Sequence, residues 1–180
     1  MNVRKYITFA AVAFAFSASV ALAQSNSGSV AGDLEKVGKD GKTATVKTAD
    51  GTEEVFKVTG KTTVDGAKHV GLAGKEGGHF VVHYTKEGGE KTATGFKDAG
   101  KGTWKVTEGT VTKIGDGGKE VTIKMKDGTE KTFHVSKEAT IDTGHGIEEA
   151  GKYSGKAGDK IAIYTTVDPA KEVAHLFKKL

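Results

Sequence analysis

Residues 44–58 read ATVKTADGTEEVFKV, and residues 121–135, at an offset of 77, read VTIKMKDGTEKTFHV. In both stretches apolar and polar residues alternate on either side of an Asp-Gly pair, at 50–51 and at 127–128. Alternation with a period of two is typical of a half-buried β-strand. Asp-Gly is a strong hairpin signal, because both central positions of a tight turn tolerate positive φ. Each stretch is therefore predicted to be a β-hairpin.

The two hairpins belong to a longer internal repeat. Residues 32–38 match residues 109–115 at the same offset. After four extra residues in the second copy the offset becomes 81, so that Phe96 matches Phe177. Chance does not easily produce so many matches in the same order, and a fixed offset is the signature of a duplication. The chain is predicted to consist of two copies of one unit.

Each copy is predicted to contain five strands, with a longer connection between the third and the fourth. This order favours an all-β fold of two tandem five-stranded OB-like barrels, and SH3-like barrels are the alternative. Closing a small sheet on itself removes exposed strand edges. The predicted boundaries are residues 30–98 for the first barrel, 99–104 for a linker and 105–180 for the second barrel.

The inward faces of the predicted strands carry matched apolar residues. In the first copy these are Leu34, Val37, Val46, Phe56, Val58, Val64, Phe80 and Val82, and in the second Val111, Ile114, Ile123, Phe133, Val135, Ile141, Ile161 and Ile163. A unit of about 70 residues is near the lower limit for an independent core. We therefore expect the two units to pack on each other, with Trp104 sealing the joint. The alternative is a Trp104 that stacks on a ligand.

The repeated pattern resembles a known kind of exported domain. It consists of Gly-x-Val/Leu-x-x-Val/Ile, an Asp-Gly hairpin and Thr-Val/Ile-Asp, and the second copy ends in Gly-Asp-Lys-Ile-x-Ile at 158–163. This pattern resembles small secreted bacterial OB-like domains of unknown function. The resemblance covers most of the chain after residue 23 and departs at Gly78, where the second copy has Asp159. It implies a fold and no catalytic residues.

Residues 1–23 have the three parts of a secretory signal peptide. Arg4 and Lys5 form a positive start, residues 7–22 are almost all apolar or small, and Ala21-Leu22-Ala23 has the form of a cleavage site. The apolar run is shorter than the ~20 residues that cross a bilayer, which disfavours an uncleaved anchor. We therefore expect a periplasmic or secreted protein without a transmembrane segment in the mature chain. Because the chain contains no cysteine, a lipid anchor is excluded.

The predicted mature chain begins with a flexible leader, residues 24–29, and is nearly neutral. Without Arg4 and Lys5 it has 25 lysines against 23 acidic residues, and no arginine. Nucleic-acid binding by an OB-like barrel needs clustered positive charge and stacking aromatics. Since the charges are mixed along the sequence, we expect no nucleic-acid partner. The expected partner is an unidentified envelope or extracellular component.

The sequence contains no pattern typical of a catalytic site. Cysteine is absent, and Ser154 lacks the preceding glycine of a nucleophile elbow. The recurring aspartates coincide with predicted turns, where Asp is favoured for its own reasons. A hydrolase with a site between the two units is therefore disfavoured. We expect a non-catalytic binding or scaffolding module of the envelope, without a cofactor and not an enzyme.

Histidines provide the alternative function. His79 and His83 are four residues apart in a predicted strand, so their side chains share one face. With His69 they are the candidates for a weak metal site. The strand rise separates the two by roughly 13 Å, too far to share one ion, and tight sites need three or four convergent ligands. The main expectation is that both are exposed strand histidines.

Overall fold

A computed structural model of the protein describes residues 26–68, 71–148, 151–168 and 171–180. The predicted signal peptide, residues 1–23, lies outside the described residues. So does His69, one of the three candidate metal ligands. No helix within the described ranges is long and apolar enough to cross a membrane.

The first unit is a sheet of seven strands. They are β1 Asn26–Val37, β2 Thr43–Thr48, β3 Glu53–Lys57, β4 Thr63–Val64, β5 Ala67–Lys68, β6 His79–Glu87 and β7 Glu90–Asp98. Strand β1 pairs antiparallel with both β2 and β6, and β6 pairs with β7. The parallel pair Lys57–Thr92, between β3 and β7, closes the sheet into a barrel. Five long strands closed in this way form an OB-like barrel, as predicted.

The second unit repeats the arrangement. Its strands are β8 Thr103–Gly115, β9 Glu120–Lys124, β10 Glu130–His134, β11 Thr140–Asp142, β12 Ile147–Glu148, β13 Lys160–Asp168 and β14 Lys171–Lys179. A short 3-10 turn, Asp116–Gly118, stands between β8 and β9. The strand order, β10-β9-β8-β13-β14-β11-β12, is that of the first sheet. The all-β fold of two OB-like units is therefore confirmed, and each unit adds a short strand pair in its long connection.

Two details differ from the sequence-based expectation. Strand β1 begins at Asn26, inside the segment 24–29 that was expected to be a flexible leader. Strand β8 begins at Thr103, so that Trp104 lies in a strand and not in a linker. The two extensions pair with β6 and β13, and this pairing, which the local sequence does not signal, makes them part of the sheets.

The two Asp-Gly hairpins form as predicted, but their turns differ from the predicted turn with positive φ at both central positions. Only the glycines have positive φ, 91° at Gly51 and 86° at Gly128, and the aspartates do not. Each aspartate instead accepts a backbone hydrogen bond two residues on, at 3.1 Å for Asp50 and Thr52. This is a longer hairpin loop with a left-handed glycine, the next most common type after the two-residue turn.

Each unit has its own hydrophobic core, made of the residues predicted from the alternation. In the first unit the core includes Leu34, Val46, Phe56, Val64, Phe80 and Val82, and in the second Val111, Ile123, Phe133, Val135, Ile141, Ile161 and Ile163. Val37, Val58 and Ile114 are partly buried at the edges. The matched positions confirm the predicted strand register in both copies.

Candidate functional site

The two units meet along a contact that we call the seam. It joins the outer face of β1 and β6 to β8, β11, β13 and β14. Its buried apolar residues are Ala31, Val81 and Leu176, with Trp104 and Tyr164 packed beside them. The expected packing of the two units on each other is therefore present.

Polar contacts fix the seam at one end. The carboxylate of Asp142, which is 4% exposed, accepts hydrogen bonds from the backbone N–H and the hydroxyl of Ser29, both at 2.9 Å. Lys178 Nζ donates to the carbonyl of Ser29 at 2.9 Å. Because a buried carboxylate is costly unless it is hydrogen-bonded, these contacts specify the relative position of the units.

Trp104 lies at the other end of the seam. Its Nε1 donates to Asp33 Oδ1 at 2.8 Å, which ties β8 to β1. The indole contacts two histidines edge-on, with ring centroids 5.7 Å away for His79 and 5.8 Å for His175. The structure thus places Trp104 in the joint between the units, and its ring neighbours there are side chains of the protein.

His79 and His83 share one face of β6, as predicted, and that face lies against the second unit. They were expected to be exposed, but both are partly buried. His79 Nδ1 is hydrogen-bonded to the Asp33 carboxylate, and His83 Nε2 lies 2.9 Å from Thr140 Oγ1. An outward strand position looks the same in sequence whether it faces water or a second unit, and this explains the difference.

The described part of the chain contains no group of three or more His, Asp or Glu side chains placed to hold a metal ion. His79 and His83 are directed to separate partners. The predicted metal site also includes His69, which is outside the described residues, so the metal-binding alternative stays a prediction.

His175 on β14 is a seam residue that the sequence analysis did not single out. Its Nε2 lies 2.7 Å from Thr166 Oγ1. Burial lowers the pKa of this imidazole below its usual 6.5, and the charges of His79 and Lys97 lower it further, whereas Asp98 opposes them. No motif marks His175; its matching position in the first copy is Thr94.

A groove of about 510 Å³ opens on the first unit, where β2 and β3 lie beside the hairpin of β6 and β7. We call it the lysine groove, and it is lined by Lys42, Thr43, Glu54, Val55, Lys57, Lys86, Gly89, Glu90 and Lys91. Strands β2 and β3 form its floor, and the turn between β6 and β7 forms one wall. Gly88 and Gly89 have φ of 55° and 94°, which permits this tight turn.

The groove has an excess of positive charge. Lys57 Nζ pairs with Glu90 Oε1 at 3.0 Å, and Lys91 Nζ pairs with Glu54 Oε2 at 2.6 Å. Lys42 and Lys86 are exposed and, among the described residues, form no ion pair. Val55, which also lines the groove, is 60% exposed. The groove therefore presents two ammonium groups beside an apolar surface.

The sequence did not predict the lysine groove. Its lining residues come from separate places in the chain, and neither half of the sequence has a surplus of lysine large enough to draw attention. The only local signal is that Val55 occupies an outward position of β3, opposite Thr45 of β2. Only the pairing of strands brings Lys42 and Lys86 to one surface.

Comparisons with known proteins leave the function to be argued from these residues. No family model matches the chain, and no curated protein matches it. Among solved structures, one match is described as "drosophila Unr CSD456". Its identity is 12% and its TM-score 0.32, over 85% of this chain and 61% of that chain. The match therefore spans less than two thirds of that structure.

Proposed function

We propose that the protein is an exported, non-catalytic binding module of the cell envelope, and that the lysine groove of its first unit holds an acidic polysaccharide chain. The observation that carries this proposal is the groove itself. It is about 510 Å³ in volume and combines Lys42 and Lys86 with the exposed Val55.

The contacts of the titratable side chains support a non-catalytic role. General acid–base catalysis needs a carboxylate or histidine within hydrogen-bond reach of the reacting group. Glu54 and Glu90, the two carboxylates of the groove, are both held in ion pairs with lysines of the same groove. His79 and His175 are in the seam, each with its own partner. These contacts support a groove that binds a ligand without catalysing its reaction.

The lining chemistry favours a carboxylated sugar over a nucleic acid. Lysine binds anions as a point charge, whereas arginine recognises phosphate with a planar fork, and the only arginine is Arg4. Single-stranded nucleic acids also stack on aromatic side chains, and none of the described residues that line the groove is aromatic. Val55 offers an apolar contact to the C–H face of a sugar ring, and Lys42 and Lys86 offer ammonium groups to the carboxylates of the chain.

Isothermal titration with oligogalacturonate at low salt tests the ligand. The Lys42→Glu, Lys86→Glu double variant is expected to lose at least tenfold in affinity. The matched control is Lys119→Glu with Lys126→Glu, two exposed lysines of the second unit that give the same change in net charge. The affinity of the control variant should fall by less than twofold. Absence of binding, an equal loss in both variants, or tighter binding of a single-stranded oligonucleotide would each overturn the proposal.

Export is tested separately, by the intact mass of the protein recovered from the periplasm or the medium. The expected mass corresponds to a chain that begins at Gln24, after the Ala21-Leu22-Ala23 site. A protein found only in the cytoplasm, or one that retains residues 1–23, would contradict the envelope assignment without affecting the groove.

A further inference from the structure

We propose that the seam is an acid-released lock, with His175 as its sensor. At neutral pH the lock holds the two units as one rigid body. In mild acid His175 gains a proton and the units separate, while each barrel stays folded. The proposal concerns the coupling between the units and does not depend on the lysine groove.

The lock is built around one aromatic ring that contacts two histidines. His79 belongs to the first unit, and His175 to the second. Their ring centroids lie 5.7 and 5.8 Å from that of Trp104, both rings edge-on to the indole. A proton on His175 would place a positive charge on the second unit, and Lys97 and His79 of the first unit disfavour that charge across the seam.

The neutral form of His175 fits its surroundings. Its ring is partly buried, and Thr166, on the neighbouring strand β13, hydrogen-bonds to Nε2 at 2.7 Å. Burial is the largest cause of the lowered pKa of His175, because desolvation penalises the charged ring. Folding of the seam therefore favours the neutral imidazole, and protonation below about pH 6.5 works against the closed state.

The charged groups around His175 do not remove this penalty. Asp98, at the end of β7, favours the charged imidazole, but it also accepts a hydrogen bond from Gly100 N at 2.6 Å. Lys97 and His79 both disfavour the charged form. Asp33 already accepts hydrogen bonds from His79 and Trp104. Burial, together with Lys97 and His79, thus outweighs one carboxylate.

The other titratable groups of the seam lie near its far end. Asp142 holds Ser29, Lys178 donates to the carbonyl of Ser29, and His83 contacts Thr140.

Separation of the units costs less than unfolding either of them. The apolar part of the seam has three buried residues, Ala31, Val81 and Leu176, whereas each barrel has an extensive core of its own. The chain between the two sheets is residues 99–102, and its glycines at 100 and 102 have φ of 73° and 129°. The units can therefore part without breaking a strand.

The experiment uses Trp104, the only tryptophan of the chain, as reporter. Its fluorescence, small-angle X-ray scattering and far-ultraviolet circular dichroism are followed from pH 8 to pH 5. In the wild type the emission should shift to the red and the radius of gyration should increase as the pH falls, while the strand signal is unchanged. His175→Phe keeps a ring beside Trp104, and His175→Gln keeps a partner for Thr166. Both should stay compact at pH 5.

The control is His134→Gln, which removes an exposed histidine from the outer face of β10 and should leave the transition of the wild type unchanged. Three outcomes would overturn the proposal. The first is a wild-type radius of gyration that does not change between pH 8 and pH 5. The second is a transition at the same pH in both His175 variants, or variants that are already extended at pH 8. The third is loss of the strand signal together with the change in radius.

Discussion

At the scale of single residues, the two copies are similar enough for each to serve as a control for the other. Phe56 and Phe133 occupy matching positions after the Asp-Gly hairpins, and both are buried in the core of their own barrel. Phe56 also packs against Tyr84, with ring centroids 5.5 Å apart. Each phenylalanine thus anchors one barrel.

Truncation of either ring to alanine should cost ~3–5 kcal/mol of stability, through lost transfer free energy and the cavity left behind. A unit of this size has little more stability than that in total, so the affected barrel should unfold. Thermal unfolding of Phe56→Ala and of Phe133→Ala should then show the loss of about half of the native signal. Val55→Ala, a neighbour with an exposed side chain, is the control and should change stability by less than ~0.5 kcal/mol. If a phenylalanine variant melted like this control, its ring would not be in a core.

At Thr107 the second copy buries a polar group where the first copy has an apolar side chain. Its hydroxyl is buried and, within the described residues, has no hydrogen-bond partner. The matching residue of the first copy is Val30, a core residue. A buried hydroxyl without a partner carries the cost of its desolvation.

Thr107→Val is expected to stabilise the second unit by about 1 kcal/mol, because it removes the unpaired hydroxyl and keeps the branched shape. The reverse change, Val30→Thr, should destabilise the first unit by a similar amount. Urea unfolding of both variants measures the two effects. A Thr107→Val protein less stable than the wild type would show that the hydroxyl does have a partner.

At the scale of elements, each barrel is braced by an ion pair between its third and its last long strand, and the two pairs have opposite polarity. In the first unit Glu54 on β3 pairs with Lys91 on β7, at 2.6 Å. In the second, Lys131 on β10 pairs with Glu172 on β14, at 2.7 Å. In both, the ammonium group lies over the core phenylalanine of the unit, 5.8 Å from Phe56 or 4.7 Å from Phe133. The bond from Lys131 is also the main cause of the lowered pKa of Glu172.

Exchange of the charges in the first unit tests this bracing. Glu54→Lys and Lys91→Glu alone each bring like charges together and should destabilise the unit by roughly 1–2 kcal/mol, since both side chains are largely covered. The double variant restores a pair with the polarity of the second unit, and stability should return to within about 0.5 kcal/mol of the wild type. The same reversals at the exposed pair Lys57 and Glu90 should have much smaller effects. Additive losses in the double variant would show that the two charges do not interact.

At the scale of the whole molecule, the seam makes one body out of two small barrels. Leu176 of β14 is fully buried in the seam. The next residue of the same strand, Phe177, points the other way and is buried in the core of the second barrel. Strand β14 thus has both of its faces covered, one by its own unit and one by the other. Burial of this outer face couples the stabilities of the two units.

Leu176→Ala should weaken this coupling without emptying either core. Calorimetry of the wild type at neutral pH is expected to show one unfolding transition, and the variant should show two, because the units then unfold separately. Leu180→Ala, at an exposed position of the same segment, should leave one transition. Two transitions in the wild type, or one in Leu176→Ala, would contradict the coupling.

The sequence alone determined the duplication, the hairpins and the core of each barrel. Residues such as Phe56 and Phe133 were predictable because alternation and turn chemistry are local, and local patterns repeat when a unit is duplicated. The tertiary structure alone decided what the outward faces do. The sequence marks His79, His83 and Lys86 only as polar positions on a strand, and whether such a position meets water, a second barrel or a groove depends on residues far along the chain. Strand pairing and barrel packing bring Ser29 to Asp142, and Lys42 to the same groove as Lys86. Both depend on many contacts between residues that are far apart in the chain, and a short stretch of sequence does not specify such contacts.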